Sequence, residues 1–298
     1  MELKKIPENL LFVGGDMRQI RAVNRISEND IKVSVLGFSK SDKEKFSDKV
    51  KFIESIDDLN KDFTAVVLPL PYTVDGININ MSEEVQKITV VDFVEGLEQN
   101  TVLLAGKCDR NLLNLAKAQG VSVVDYFDRE ELKILNAIPT AEGAIQIAME
   151  EVPHTVHSSR CLIIGNGRIG KILAKMLDGI GADVTVAARK NRDRIQAFAF
   201  GIKSIPVCNL YEEIGNFDII FNTVPSLILD SDMLTKTGRN ALIVDLASRP
   251  GGVDFETARK MGIKVIWALS LPGKVAPDTA GDIIGKTILN ILDELEGR

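Results

Sequence analysis

Histidine is almost missing from this chain: two residues in 298. That excludes a metal centre built on imidazole ligands and leaves little room for histidine-centred acid–base chemistry. Cysteine is nearly as scarce. Cys108, Cys161 and Cys208 are odd in number, far apart and form no C-x-x-C pair. They support neither a disulfide framework nor a zinc ribbon, and read as reduced, mostly buried thiols. No apolar run approaches the ~18 residues of a membrane span. Met1 to Pro7 shows no signal-peptide core or cleavage site, so a cytoplasmic protein without a membrane is expected. Positive charge is not in excess either. Lys plus Arg total 36 against 42 for Asp plus Glu, a formal charge of −6, which argues against a broadly basic nucleic-acid binder.

What is present is an ordinary globular composition, 45% hydrophobic and 26% charged, in a chain long enough for two domains at roughly 150 residues each. Short apolar runs alternate with amphipathic stretches. Strands are expected at Asn9 to Val13, Ile31 to Leu36, Phe63 to Leu68, Thr101 to Ala105 and Val121 to Val124, with helices at Asp16 to Ser27 and Arg110 to Ala118. A second alternation runs through Cys161–Ile164, Gly170–Ile180, Asp183–Ala187, Ile219–Phe221, Ala241–Asp245 and Lys264–Trp267, closing on a helix from Asp278 to Leu295. Between them Pro139-Thr140 reads as a helix start, with Thr140 as N-cap, Glu142 in the first turn and Pro153 as the stop. The α/β fold expected is two Rossmann-like, doubly wound parallel-sheet domains. They span 1–137 and 138–277, and helix 278–298 packs back on the first. His154 and His157 fall in the boundary region from Ile138 to Ser159, read as a linker.

The chemistry-bearing motif follows strand Cys161–Ile164. Gly165-Asn166-Gly167-Arg168-Ile169-Gly170 is G-x-G-x-x-G in strand–turn–helix context. Gly165 allows the tight turn, Gly167 lets a pyrophosphate approach the backbone, and Gly170 lets the helix pack on the strand. An NAD site expects a carboxylate at the tip of the next strand, about 20 residues on. Here that tip is Ala188-Arg189-Lys190. Ala188 removes a repulsion and the two cations suit a 2′-phosphate, so NADP is expected, unless these residues are only a solvated basic face. Thr223, Val224 and Pro225 after one strand, and Leu246, Ala247 and Ser248 after another, are further cofactor-side candidates at strand carboxyl ends. In the first domain Gly14-Gly15-Asp16-Met17-Arg18-Gln19 is a second glycine turn. Its N–H groups and Arg18 suit an anion, or Asp16 simply caps the helix.

This combination resembles the dipicolinate synthase A-subunit family, the dehydrogenase-like subunits of spore-forming bacteria. The resemblance rests on Gly14–Gln19, Ile138–Gly143, Gly165–Gly170, Asn222–Ser226, Asp245–Gly252 and Leu271–Pro277, which span nearly the whole chain. More distantly the layout is similar to D-2-hydroxyacid and alanine dehydrogenases, which are commonly homo-oligomers. The resemblance implies NADP-linked oxidation of a dihydrodipicolinate-type intermediate, from 4-hydroxy-tetrahydrodipicolinate of the lysine pathway, to pyridine-2,6-dicarboxylate in sporulating bacteria. It implies the flavoprotein-like dipicolinate synthase B-subunit as partner and the mother-cell cytoplasm as location. Holding a dicarboxylate beside an anionic cofactor needs cations and N–H donors. Arg18, Arg249, Lys274 and Lys107 are the expected carboxylate anchors, with Gly15, Gln19, Thr140 and Ser226 beside the substrate. Glu142 or Asp16 takes the proton, ideally as a buried carboxylate; Glu142 otherwise balances a helix dipole, and Arg249 otherwise pairs with Asp245. Other readings are a different NADP-dependent dehydrogenase of a small carboxylate, or an NADP-sensing regulatory protein.

Overall fold

A computed structural model describes residues 9–29, 31–55 and 63–296. The N-terminal stretch Met1–Pro7 and the last two positions of the expected 278–298 helix lie outside the described residues. The chain divides into two units, one comprising 1–135 and 276–298, the other 136–275.

Unit 1 contains β1 (Asn9–Val13), α1 (Met17–Ser27), β2 (Lys32–Leu36), β3 (Val50–Ile53), β4 (Ala65–Val67), α2 (Val90–Glu95), β5 (Val102–Ala105), α3 (Arg110–Ala118) and β6 (Ser122–Asp125). All its neighbouring strands pair in parallel, in the order β3-β2-β1-β4-β5-β6. The near-continuous apolar run of β1 follows from burial on both faces. Leu10 and Phe12 enter one core with Ile20, Val23 and Ile26 of α1, while Leu11 and Val13 enter another with Val90 and Leu112.

The long helix α4 (Glu130–Glu151) crosses the division between the units. The expected start at Thr140 is corrected: Pro139 lies inside the helix, and the Thr140 hydroxyl donates to the Asn136 carbonyl at 2.7 Å instead of capping an N-terminus. An interior proline normally costs a helix about 3 kcal/mol. Burial offsets it here, because Leu132 packs into the core of unit 1 and Ala141, Ala144, Ile145 and Ala148 pack into that of unit 2. Glu142 is therefore mid-helix and exposed, neither in a first turn nor buried.

Unit 2 repeats the plan with β7 (Arg160–Ile164), α5 (Arg168–Ile180), β8 (Asp183–Ala188), α6 (Asn191–Ala199), β9 (Lys203–Pro206), α7 (Leu210–Glu213), β10 (Ile219–Asn222), α8 (Ser231–Lys236), β11 (Leu242–Asp245), α9 (Phe255–Met261), β12 (Lys264–Trp267) and α10 (Leu271–Val275). Its order, β12-β11-β10-β7-β8-β9, is again doubly wound, and the chain reverses direction across the sheet between β7 and β10. The last helix, α11 (Pro277–Glu296), packs on α1 of unit 1, where Arg21 pairs with Asp282 at 2.8 Å. The edge strands β3 and β9 were not expected from the apolar pattern.

The two histidines do not lie in a linker. They belong to unit 2, where His157 Nδ1 lies 2.9 Å from the Ile180 carbonyl at the end of α5. No described helix is long and apolar enough to cross a membrane. The described residues hold no cluster of three His, Cys, Asp or Glu side chains suited to a metal.

The thiols differ from one another. Burial pushes Cys108 and Cys161 up to about 12, so both stay protonated and unreactive near neutrality. Cys208 is exposed, contrary to the expectation of mostly buried thiols. Titration with a maleimide at neutral pH is expected to modify one thiol rapidly in the native protein and all three after denaturation. Fast native modification of two or more contradicts this.

Candidate nucleotide and substrate-binding sites

In unit 2 the candidate site grows from the carboxyl ends of β7, β8, β10 and β11. The backbone after β7 turns sharply at Gly165, where φ is +102°. A Cβ there would lie 2.4 Å from Thr223 Oγ1, and one on Gly170 would lie 2.1 Å from the Gly165 carbonyl oxygen. Both positions therefore need glycine for packing. Gly167 is different: a Cβ there would meet nothing within 4 Å. It is the N-cap of α5 and offers no side chain to the helix end, whereas Asp16, Asp109, Asp230 and Asp254 cap α1, α3, α8 and α9. A helix end that its N-cap residue leaves without a side-chain cap, with open space beside that residue among the described residues, suits a phosphate group. Arg168 and Ile169 open that helix, and Asn166, 8% exposed, ties the turn to α6 through Nδ2 and the Asp193 carbonyl at 2.7 Å.

The tip of β8 is organised by Arg194. Its Nη1 donates to the carbonyls of Ala188 and Arg189 at 3.0 and 3.1 Å, and its Nη2 to Asn191 Oδ1 at 3.1 Å. Ala188 is buried, while Arg189 and Lys190 are exposed and have no ion-pair partner among the described residues. Of the four basic residues here, Arg194 is structural, and Arg192 contacts Asp193 at 3.3 Å. Two cations thus remain for a ligand.

Two further loops are tied together by buried polar groups. Thr223 donates to the Ile164 carbonyl at 2.9 Å, joining the loop after β10 to the glycine turn. Asn222 and Asp245 are both fully buried. Asp245 accepts from Asn222 Nδ2 at 2.8 Å, Ala247 N at 3.1 Å and Gly252 N at 2.9 Å. Asn222 also binds its own loop, giving Nδ2 to the Val224 carbonyl at 3.0 Å and accepting from Val224 N at 3.1 Å. Val224, Pro225 and Ser226, and Leu246, Ala247 and Ser248, are thereby held at neighbouring strand ends. Asp245 does not pair with Arg249, so that alternative is corrected: backbone and amide donors fill its carboxylate. Arg249 instead lies 5.9 Å from the centre of the Trp267 ring, a contact that nothing in the local sequence announces. Lys274 is exposed on α10.

Unit 1 presents its own strand-end groups. Asp16 caps α1 and holds the Arg18 guanidinium at 2.7 Å, and Arg18 Nη2 also donates to the Leu70 carbonyl at 2.6 Å. Asp16 is therefore exposed and already engaged, and only part of the Arg18 fork is free. Gly15 sits over Gln19, which is 2% exposed and whose Nε2 has no hydrogen-bond partner among the described residues. Lys107 follows β5 in a left-handed conformation, φ +65°, with its N–H on Asp125 at 3.0 Å and its side chain exposed.

Two doubly wound sheets, one carrying a G-x-G-x-x-G turn at its switch point, define a two-domain protein of Rossmann-type fold. Residues 9–127 match the dipicolinate synthase A-subunit N-terminal domain, and residues 146–267 match the shikimate/quinate 5-dehydrogenase family. The chain is 32% identical to the dipicolinate synthase A-subunit of Bacillus subtilis (strain 168) over 289 residues, 96% of both chains. The crystal structure of the dipicolinate synthase A-subunit from Bacillus halodurans superposes with a TM-score of 0.89 at 29% identity, covering 96% of this chain and 97% of that one. An L-alanine dehydrogenase shares the fold alone, with a TM-score of 0.64 at 15% identity over 96% of this chain and 90% of that one. The chain belongs to the dipicolinate synthase A-subunit family.

Proposed function

We propose that the chain oxidises a dihydrodipicolinate-type intermediate, formed from 4-hydroxy-tetrahydrodipicolinate, to pyridine-2,6-dicarboxylate, with NADP as acceptor and the flavoprotein-like B-subunit as partner. Family membership supports the substrate. The observation that carries the cofactor is the β8 tip, with a buried alanine where a ribose-binding carboxylate would stand and, beside it, two cations without an ion-pair partner among the described residues. A bound nicotinamide dinucleotide supplies the two-electron oxidant.

The protein's own part is binding and placement. The α5 N-terminus, where Gly167 brings no side-chain cap, receives the pyrophosphate. Arg189 and Lys190 grip the 2′-phosphate, Arg189 with a planar fork. Thr223 to Pro225 and Leu246 to Ser248 border the ribose and nicotinamide end, with Ser226 on the substrate side. In unit 2, Arg249 and Lys274 are the cations suited to a substrate carboxylate; in unit 1, Lys107 and the free edge of Arg18, with Gly15 and Gln19, are a separate set of the same chemistry. Thr140 spends its hydroxyl proton inside α4 and offers the substrate only an acceptor oxygen. Aromatisation drives loss of the ring proton, so a modest base suffices. Asp16 is engaged by Arg18, which leaves exposed Glu142 or solvent as the acceptor. Dissociation constants for NADP and NAD, measured calorimetrically in the unaltered chain and in Arg189→Ala, test the cofactor assignment. The unaltered chain is expected to favour NADP, and the variant to lose about tenfold in NADP affinity with NAD unchanged. Equal loss for both dinucleotides, or none, removes Arg189 from the 2′-phosphate.

A further inference from the structure

The loop after β11 carries Arg249, and it is unusually well anchored for an exposed loop. Asp245 accepts from Ala247 N and Gly252 N, so one buried carboxylate holds both of its ends. Gly251 N donates to the Ser248 carbonyl at 2.8 Å and closes the turn between them. The Trp267 indole N–H donates to the Ala247 carbonyl at 2.9 Å. Phe255 stacks on Trp267, with ring centres 5.0 Å apart and planes inclined by 27°. The same Phe255 ring lies under Gly251, where φ is +87° and a Cβ would sit 3.2 Å from Cε2. Arg249 ends this assembly, its guanidinium 5.9 Å from the Trp267 ring centre and without an ion-pair partner among the described residues.

We propose that Trp267 is a positioning residue for the reaction. Its ring, stacked with Phe255, holds the Arg249 guanidinium as a receptor for one carboxylate of the substrate. An aromatic face attracts a guanidinium through the ring quadrupole and occupies its π surface, while the in-plane N–H donors stay free. Those donors match the two oxygens of a carboxylate in a forked, bidentate geometry. A lone surface arginine loses much of its rotamer freedom when it takes a ligand. An arginine already resting on an aromatic shelf loses less, so the shelf raises affinity without touching the ligand. The ligand class is a small dicarboxylate, and this assignment rests on the proposed oxidation of a dihydrodipicolinate-type ring.

Trp267 is the single tryptophan of the chain, which lets the contact be read without any ligand. In the free protein, Arg249→Ala is expected to shift the tryptophan emission by removing a cation from the ring face; an unchanged spectrum overturns the contact. Calorimetric titration with pyridine-2,6-dicarboxylate then compares the unaltered chain with Trp267→Leu and Trp267→Phe. Both substitutions delete the indole N–H bond to Ala247, but only the phenylalanine keeps an aromatic face. Trp267→Leu is expected to weaken binding about tenfold, and Trp267→Phe to recover most of the loss. In an Arg249→Ala background Trp267→Leu should have no further effect, since its role passes through that arginine. NADP affinity should stay unchanged throughout.

Equal loss in the two tryptophan variants, additivity with Arg249→Ala, or a loss confined to NADP overturns the proposal while leaving the oxidation reading intact. If the unaltered chain does not bind pyridine-2,6-dicarboxylate, the substrate reading falls instead. The receptor is then judged on malonate and glutarate with the same variants, and independence of their binding from both Arg249 and Trp267 overturns it.

Discussion

Gly167→Val is expected to fold normally and to lose dinucleotide binding by about a hundredfold or more, equivalent to ~2.7 kcal/mol. Glycine serves two different purposes within this one turn. At Gly167 the backbone has an ordinary extended conformation, φ −82° and ψ −158°, and a Cβ meets nothing within 4 Å. Among the described residues nothing opposes a side chain there, so what a side chain would exclude is the ligand that this space admits. Gly170→Ala sets the contrast. Its Cβ would stand 2.1 Å from a backbone carbonyl, so α5 would have to move and stability would fall with affinity. Thermal melting and NADP calorimetry on the two variants separate these outcomes. A Gly167→Val protein with undiminished NADP affinity contradicts the phosphate site.

Asp245→Ala is expected to cost unit 2 about 3–5 kcal/mol. The substitution removes one acceptor from three donors, leaving the buried Ala247 and Gly252 N–H groups unpaired. Asn222 keeps its bond to the Val224 carbonyl, so its own loss is partial. Trp267 pairs in register with Asp245 across β11 and β12, and as the single tryptophan it reports on this unit alone. Urea unfolding followed by its fluorescence should show the midpoint falling sharply. A change below about 0.5 kcal/mol, the size of an ordinary surface substitution, contradicts the role assigned to the buried carboxylate.

Legibility in the sequence followed steric and chemical uniqueness. The Gly165–Gly170 turn was readable because few other residues fit its backbone contacts, and the central strands because burial on both faces leaves an unbroken apolar run. The edge strands Val50–Ile53 and Lys203–Pro206 were not, since they are only half buried and one ends in proline. The start of α4 misled because Pro139-Thr140 has the chemistry of a helix beginning. Only the packing of Leu132 and Ala137 upstream shows the helix already under way. At the candidate site, the arginines near strand ends were visible but their employment was not. Arg194 holds a turn, Arg18 shares itself between Asp16 and Leu70, and Arg249 rests on Trp267. Each depends on register and loop closure, which set partners distant in sequence.

The most direct test of the proposed oxidation is a single reaction mixture of purified chain, 4-hydroxy-tetrahydrodipicolinate and NADP, followed at the absorbance bands of NADPH and of pyridine-2,6-dicarboxylate. The two products are expected to rise together in a one-to-one ratio, with or without the added B-subunit, and at least about tenfold more slowly when NAD replaces NADP. Pyridine-2,6-dicarboxylate formed without nucleotide reduction, or no product from the chain even when the B-subunit is present, would contradict it.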